Sequence, residues 1–289
     1  MSHFPKQTHH DTGLVGVGLR SEHYQDVLEE TSGIDFVEVH SENFFAEGGV
    51  ISRYLSQLQQ TIPISLHGTA MGLGSGAGID SGYLARLQRL TQQIEPLLVS
   101  DHACFCWTGE GNQVMHAGDL LPLKFDEAHL DVIANNVDRV QNQLGRQILV
   151  ENIVSYVPNN KDFIDENEFL VELTKRTGAG LLLDLNNLIV NAINFDTRHP
   201  LDIAKNWLAK IPADVVGEIH LAGFSSVQGN ALVVDDHSQP VSDMCWQLYR
   251  VVMSQMGPKP TLIEWDNDLP SWAVLKSEAD KARAIMASI

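Results

Sequence analysis

At 289 residues, with 44% hydrophobic and 19% charged positions, the chain can bury a large core and matches the usual size of one (β/α)8 barrel, which excludes a disordered chain. Its formal net charge of −18 repels phosphate backbones and anionic lipid, so neither nucleic acid nor a membrane surface is expected as a partner. Three cysteines, an odd and low number, argue against a disulfide framework and for a reducing cytoplasm.

Residues 1–12 are polar, lack the apolar core of a secretory signal, and are expected to be a flexible tail on a single barrel domain covering 1–289. Strand runs and helical patterns then alternate. The strand Val15–Arg20 (ending GVGLR) precedes a short helix at Tyr24–Thr31. Phe36–His40 (VEVH) precedes Ile51–Gln60, whose Ile51, Leu55 and Leu58 have helical spacing. Ile64–His67 (SLH) is followed by Gly82–Glu95, and Leu97–His102 (LVSDH) by Asp126–Leu144 with Asp126 as N-cap. Ile148–Asn152 (LVEN) leads to Glu166–Thr177, stopped by Gly178. Leu181–Asn187 (LLDLNN) leads to Leu201–Ile211, Val215–His220 (GEIH) to Asp243–Met256, and Leu262–Asp266 (IEWD) to Ser271–Ala287. Eight strand–helix repeats predict a parallel sheet closed into a TIM barrel.

Three insertions follow strand ends: Gly68–Gly82, His102–Leu123 and Leu221–Pro240. The Gly-rich first one lacks the GK[ST] ending of a phosphate loop and reads as a flexible loop over the mouth. Cys104 and Cys106, a C-x-C in the second, read as packing or loop residues rather than the C-x-x-C of metal and redox motifs. In the third, Leu232–Val234 is expected to form a small extra strand that returns Asp235 and His237 over the mouth.

Side chains at the C-terminal ends of barrel strands converge on one mouth. His40, His67, Asp101, His102, Glu151, Asp184, His220 and Glu264 would meet there, and mixed imidazole and carboxylate suits iron, manganese or zinc. Each also interrupts a buried strand and needs a partner. Glu151, midway round the barrel, is the expected bridge between two ions. Asn152 and Asn187 are neutral oxygen donors, as weak ligands or as groups orienting a carboxylate. Arg20 and Asn43 are the candidate substrate-binding residues: Arg20 either holds a substrate carboxylate or neutralises Glu42 or Glu264, and Glu42 and Asn43 in HSEN either cap the strand or serve the reaction.

Ten ordered motifs, GVGLR, FVEVHSENFF, SLHG, LVSDH, DLLPL, ILVENIVSYV, GLLLDLNNLIVNAIN, GEIHLAGF, VVDDHSQPV and LIEWD, resemble the DUF692 proteins, the multinuclear non-heme iron-dependent oxidative enzymes, from about residue 13 to about 285. The resemblance implies a xylose isomerase-like TIM barrel with two or three iron ions, of mixed valence, at its mouth. It implies His67, His102, Glu151, Asp184, Asn187, His220, Asp235, His237 and Glu264 as ligands, with Glu151, Asp184, His220 and Glu264 central to catalysis. It further implies oxidation of cysteine residues in a ribosomally made precursor peptide by dioxygen, to oxazolone–thioamide or thiooxazole-type products, and a small partner protein that delivers the peptide. The family commonly has SEH where this chain has Ser100-Asp101-His102, so residue 101 keeps its carboxylate with a shorter reach. Two other classes compete: a divalent-metal isomerase or hydrolase on the same barrel, and a non-enzymatic metal or peptide scaffold. No strand run ends in the lysine a two-metal sugar isomerase needs, and a buried multi-carboxylate site is costly without a metal.

Overall fold

The computed structural model describes residues 13–109, 115–156, 164–195, 198–225 and 232–289; the expected tail at 1–12 lies outside them. Its strands are β1 (Val15–Gly18), β2 (Phe36–His40), β3 (Ile64–Gly68), β4 (Val99–His102), β5 (Cys104–Thr108), β6 (Met115–Pro122), β7 (Leu149–Glu151), β8 (Gly180–Asp184), β9 (Val216–Leu221) and β10 (Thr261–Ile263). Eight of them close a parallel barrel in the order β1-β10-β9-β8-β7-β4-β3-β2, while β5 and β6 pair antiparallel as a separate hairpin. Helices α1 (Tyr24–Glu29), α2 (Gly49–Thr61), α3 (Ser81–Ile94), α4 (Glu127–Leu144), α5 (Glu166–Thr177), α6 (Leu185–Phe195), α7 (Pro200–Leu208), α8 (Asp243–Met256) and α9 (Trp272–Ala287) accompany the strands. This is the expected (β/α)8 architecture.

Capping chemistry sets several helix ends where the sequence placed them. Asp126 accepts a bond from the His129 N–H, and α5 stops at Gly178 in the left-handed conformation. The apolar stripes of the helices pack on the outer faces of Val- and Leu-rich strands in one continuous core. Inside the barrel, Leu98, Leu149 and Leu182 form a small apolar plug.

Four findings correct or refine the expectations, the third of them with Cys104 and Cys106 as packing residues, as expected. The strand expected over Leu181–Asn187 ends at Asp184, and α6 begins at once. The Asp184 carboxylate accepts the Asn187 N–H at 2.5 Å, satisfying a first-turn donor and turning the chain out of the sheet. Leu232–Val234 forms no strand. The Asn194 side chain takes both backbone bonds of Val233 in place of a partner strand, accepting its N–H at 2.9 Å and donating to its carbonyl at 3.0 Å. Third, His102–Leu123 contains the β5–β6 hairpin, with Cys104 and Cys106 buried in it and their sulfurs 3.5 Å apart.

Fourth, the Gly-rich segment is packed rather than flexible. Leu73 and Ser75 are buried, the Asn136 amide donates to both of their carbonyls, and Ser75 Oγ accepts from the Cys106 and Trp107 N–H groups. Gly74 lies so close beneath the hairpin that a Cβ there would come within 2.3 Å of Leu123.

The loop after β9 is pinned at its base. A Cβ on Gly223 would sit 2.0 Å from the Pro240 carbonyl oxygen and 2.5 Å from that of Gln239, both backbone atoms with little room to retreat. Gly223→Ala is therefore expected to lower stability by about 3 kcal/mol, read as a fall in the urea midpoint with the slope unchanged. A wild-type midpoint would show that this close approach is not rigid.

Candidate metal centre at the barrel mouth

Strand alternation turns every second side chain inward, and parallel register levels the strand ends. His40 is paired with His67, His102 with Glu151, and Asp184 with His220. The result is a ring of buried imidazoles and carboxylates around a cavity of about 210 Å³.

Two donor groups form within it, each with ligand atoms within 4.8 Å of one another: His67, His102 and Glu151, and Glu151, Asp184, His220 and Glu264. Glu151 belongs to both. Its Oε2 lies 3.4 Å from His67 Nε2 and 3.3 Å from His102 Nε2. His67 is oriented by Ser100, whose hydroxyl lies 2.8 Å from Nδ1, and His102 Nδ1 donates to the Gly68 carbonyl at 3.1 Å. Both rings thus keep Nε2 turned toward Glu151.

The loop after β9 supplies a third set. Asp235 and His237 line the cavity with Asn187, and His237 Nε2 is 2.7 Å from Asp235 Oδ1. Asn186 Nδ2 donates to Asp235 at 2.8 Å, and the Tyr156 hydroxyl accepts the Asp235 N–H at 3.2 Å. His237 has φ +44°, a left-handed conformation that costs a non-glycine residue energy and is held here by its surroundings. Asn152 does not line the cavity, and its side-chain amide exchanges two bonds with the Asp184 backbone. Asn187 donates to the Asn152 carbonyl but keeps a buried Oδ1 without a hydrogen bond.

Three sequence candidates sit differently. Asp101 lies on the opposite face of β4 from Ser100 and His102 and joins none of the donor groups among the described residues. A Cβ on Gly68, its register partner, would meet the Asp101 carboxylate and the Tyr83 hydroxyl, and burial followed by the Glu42 charge raises the Asp101 carboxyl well above the usual range. Asn43 is exposed and does not line the cavity; Glu42 holds the turn after β3, one oxygen accepting from Thr69 N, Ala70 N and the Tyr83 hydroxyl. Arg20 pairs with Asp266 and lies 3.8 Å from Glu264, and it donates to His40 Nε2 at 2.9 Å, so of its two expected carboxylate partners it lies beside Glu264 and not Glu42. His40 forms a further donor group with Glu264 and Asp266.

The sequence reading missed Glu38, Glu218 and Asp266 as part of this cluster. The first two carry a readable signal: FVEVH and GEIH share an E-x-H pattern that puts the Glu one step below the His on the same inward face.

The electrostatics match a cation-binding role. Burial, then the neighbouring imidazoles, pushes His67 well below its usual pKa, and burial takes His102 down to about 4, so both present neutral nitrogen lone pairs. Burial pushes Glu151 well above the carboxylate range and Asp184 up to about 7. Burial acts against ionised Glu264 and protonated His220 and His237, but neighbouring charges prevail: Glu38 and then Glu264 hold His220 well above its usual range, Asp235 and then Glu264 do so for His237, and the two imidazoles hold Glu264 down to about 2. Glu151 Oε2, Asp184 Oδ2 and Asn187 Oδ1 are buried and accept no hydrogen bond. Mixed imidazole nitrogen and carboxylate oxygen with free lone pairs is a donor set that fits first-row divalent metals, iron among them.

A sequence model of the family described as "RiPP precursor modification enzyme MbnB/TglH/ChrH" matches residues 14–287. A UPF0276 protein of Chromobacterium violaceum is 46% identical over 274 residues, covering 95% of each chain. Another, from Vibrio parahaemolyticus, is 42% identical over 278 residues, covering 96% of this chain and 93% of its own. Among solved structures, a xylose isomerase domain-containing protein from Salmonella typhimurium aligns with a TM-score of 0.63 at 13% identity, over 96% of this chain and 98% of its own. Endonuclease IV from Thermus thermophilus aligns with a TM-score of 0.58 at 14% identity, over 96% of this chain and 100% of its own; at such identities the likeness concerns the fold alone.

Proposed function

The chain belongs to the MbnB/TglH/ChrH family of RiPP precursor modification enzymes, and from that premise we propose that it is an iron-dependent oxidase using dioxygen to modify cysteine residues of a ribosomally made precursor peptide. The observation that carries the reading is Glu151, one buried carboxylate common to two donor groups. A shared carboxylate is the usual means of holding two ions roughly 3.5–4 Å apart. Two or three iron ions held there would supply the redox chemistry that no side chain of this mouth can supply alone.

The chain's own residues then have definite tasks. His67 and His102 bind through Nε2, and Asp184, His220 and Glu264 complete the second group. Asn187, Asp235 and His237 offer a third position beside them. Arg20 balances Glu264 and Asp266, lowering the cost of so many carboxylates in one cavity. Leu120, Ile153 and Val154 give the cavity an apolar wall that limits water near the reacting thiol.

The proposal includes a small partner protein delivering the peptide and a cytoplasmic location, the latter supported by three free cysteines. Among the described residues no helix is long and apolar enough to cross a membrane. The test is metal content of protein purified without oxygen, by elemental analysis and Mössbauer spectroscopy. Two or three irons per chain are expected. Stoichiometric zinc or manganese without iron, persisting after growth in iron-rich medium, would replace this reading with a divalent-metal isomerase or hydrolase.

A further inference from the structure

Below the mouth the barrel interior carries a second polar tier. Glu38 lies two residues before His40 on β2, and Glu218 two before His220 on β9, so both point inward. Glu38 is 2% exposed and Glu218 fully buried. Neither is explained by the donor groups that contain Glu151.

The His220 ring joins the tiers. Its Nδ1 is 3.0 Å from Glu264 Oε2 at the mouth, and its Nε2 is 3.3 Å from Glu38 Oε1 and 4.0 Å from Glu218 Oε1 on the floor. A neutral imidazole has one N–H and one lone pair. Binding a metal among Glu151, Asp184 and Glu264 requires the lone pair on Nδ1, which leaves the proton on Nε2. A metal-bound histidine holds its orientation and basicity by donating that second N–H to a fixed acceptor.

We propose that Glu38 is a positioning residue of the metal centre: its Oε1, 3.3 Å from an Nε2 that makes no hydrogen bond in this structure, accepts the Nε2–H of His220 when Nδ1 is given to a metal, and so locks the ring in the tautomer whose Nδ1 lone pair faces the mouth. The inference rests on the metal-binding reading above. Glu218 Oε1, at 4.0 Å, lies farther from Nε2 than Glu38 Oε1 and is the weaker acceptor for it. The same three residues are close enough to hold an ion themselves, with ligand atoms within 4.8 Å. Such an ion would take the Nε2 lone pair and force the proton onto Nδ1, removing His220 from the mouth group. Three carboxylates face His220 at the mouth and two on the floor, so the mouth is the stronger claimant.

The test uses the full chain loaded with Zn²⁺, a diamagnetic probe, titrated against a competing chelator. Glu38→Ala is expected to weaken zinc binding about 10–100-fold with the number of bound ions unchanged, and Glu38→Gln, which keeps an acceptor oxygen, to recover most of the loss. Long-range ¹⁵N spectra of histidine-labelled, zinc-loaded wild type should show His220 protonated at Nε2, a signature that simple loss of packing would not produce. If Glu38→Ala fails to fold, that spectrum decides alone. The inference is overturned by wild-type affinity in Glu38→Ala, by loss of one whole ion with the others bound as before, or by a proton on Nδ1. Wild type that binds no zinc would instead overturn the metal reading, and this inference with it.

Discussion

Glu151→Gln is expected to strip the barrel mouth of metal while leaving the barrel folded. The substitution changes shape little, but it removes the negative charge and the second anionic oxygen from a residue common to both donor groups. No other residue of those two groups is in both, so no other single change should disturb both of them directly. Metal affinity should fall by at least about 100-fold, more than the loss typical when only a group behind a ligand is altered. Elemental analysis of desalted protein should find less than one ion per chain.

Stability should split the same way. In the presence of chelator the variant should melt at the wild-type temperature or above it, because a neutral amide costs less to bury than a carboxylate whose Oε2 accepts no hydrogen bond. With free metal at 100 times its dissociation constant, wild type gains about 2.7 kcal/mol and the variant does not. A Glu151→Gln protein that retains the full metal complement would show that the two groups do not depend on a shared carboxylate.

Much of this architecture is legible because a (β/α)8 barrel writes its active face at regular places. His67, His102, Glu151, Asp184 and His220 each close a short apolar run, and each reaches the mouth. The failures have local causes. Asp101 adjoins His102 in sequence, but the two-residue period of a strand turns neighbours to opposite faces, so only one of the pair can enter the barrel. Glu38 and Glu218 sit within strands rather than at their ends, where an apolar-run reading treats them as interruptions. Helix α6 was hidden because it begins at Leu185 directly after β8 ends at Asp184, with no turn residues between, so LLDLNN reads as one continuous strand run. The β5–β6 hairpin carries an irregular register between Phe105 and Trp107, which blurs alternation. Asn194 replaces a strand partner at Val233 by a side-chain contact 39 residues away, which no local pattern encodes.

His237→Asn should remove one ion and spare the rest. Among the candidate ligands, His67, His102, Glu151, Asp184 and His220 stand in regular strands, whereas Asp235 and His237 come from a loop. That loop is tied to the barrel by Asn186 and Tyr156 on Asp235, and by the His237 carbonyl accepting the Asp266 N–H at 2.9 Å. Asparagine tolerates the left-handed backbone at φ +44° better than most residues, so the substitution removes the imidazole without forcing the chain elsewhere. The donor groups around Glu151 contain neither Asp235 nor His237 and should keep their ions, with affinity shifted only through Glu264, whose Oε2 lies 3.4 Å from His237 Nδ1. The measurement is iron per chain together with a chelator-competition curve: one equivalent fewer, with the tight phase retained, marks the loop as the holder of a separate ion. Loss of every equivalent, as in Glu151→Gln, would mean that the loop closes over a single indivisible cluster. An unchanged count would mean that Asp235 and His237 serve each other as an ion pair and bind nothing.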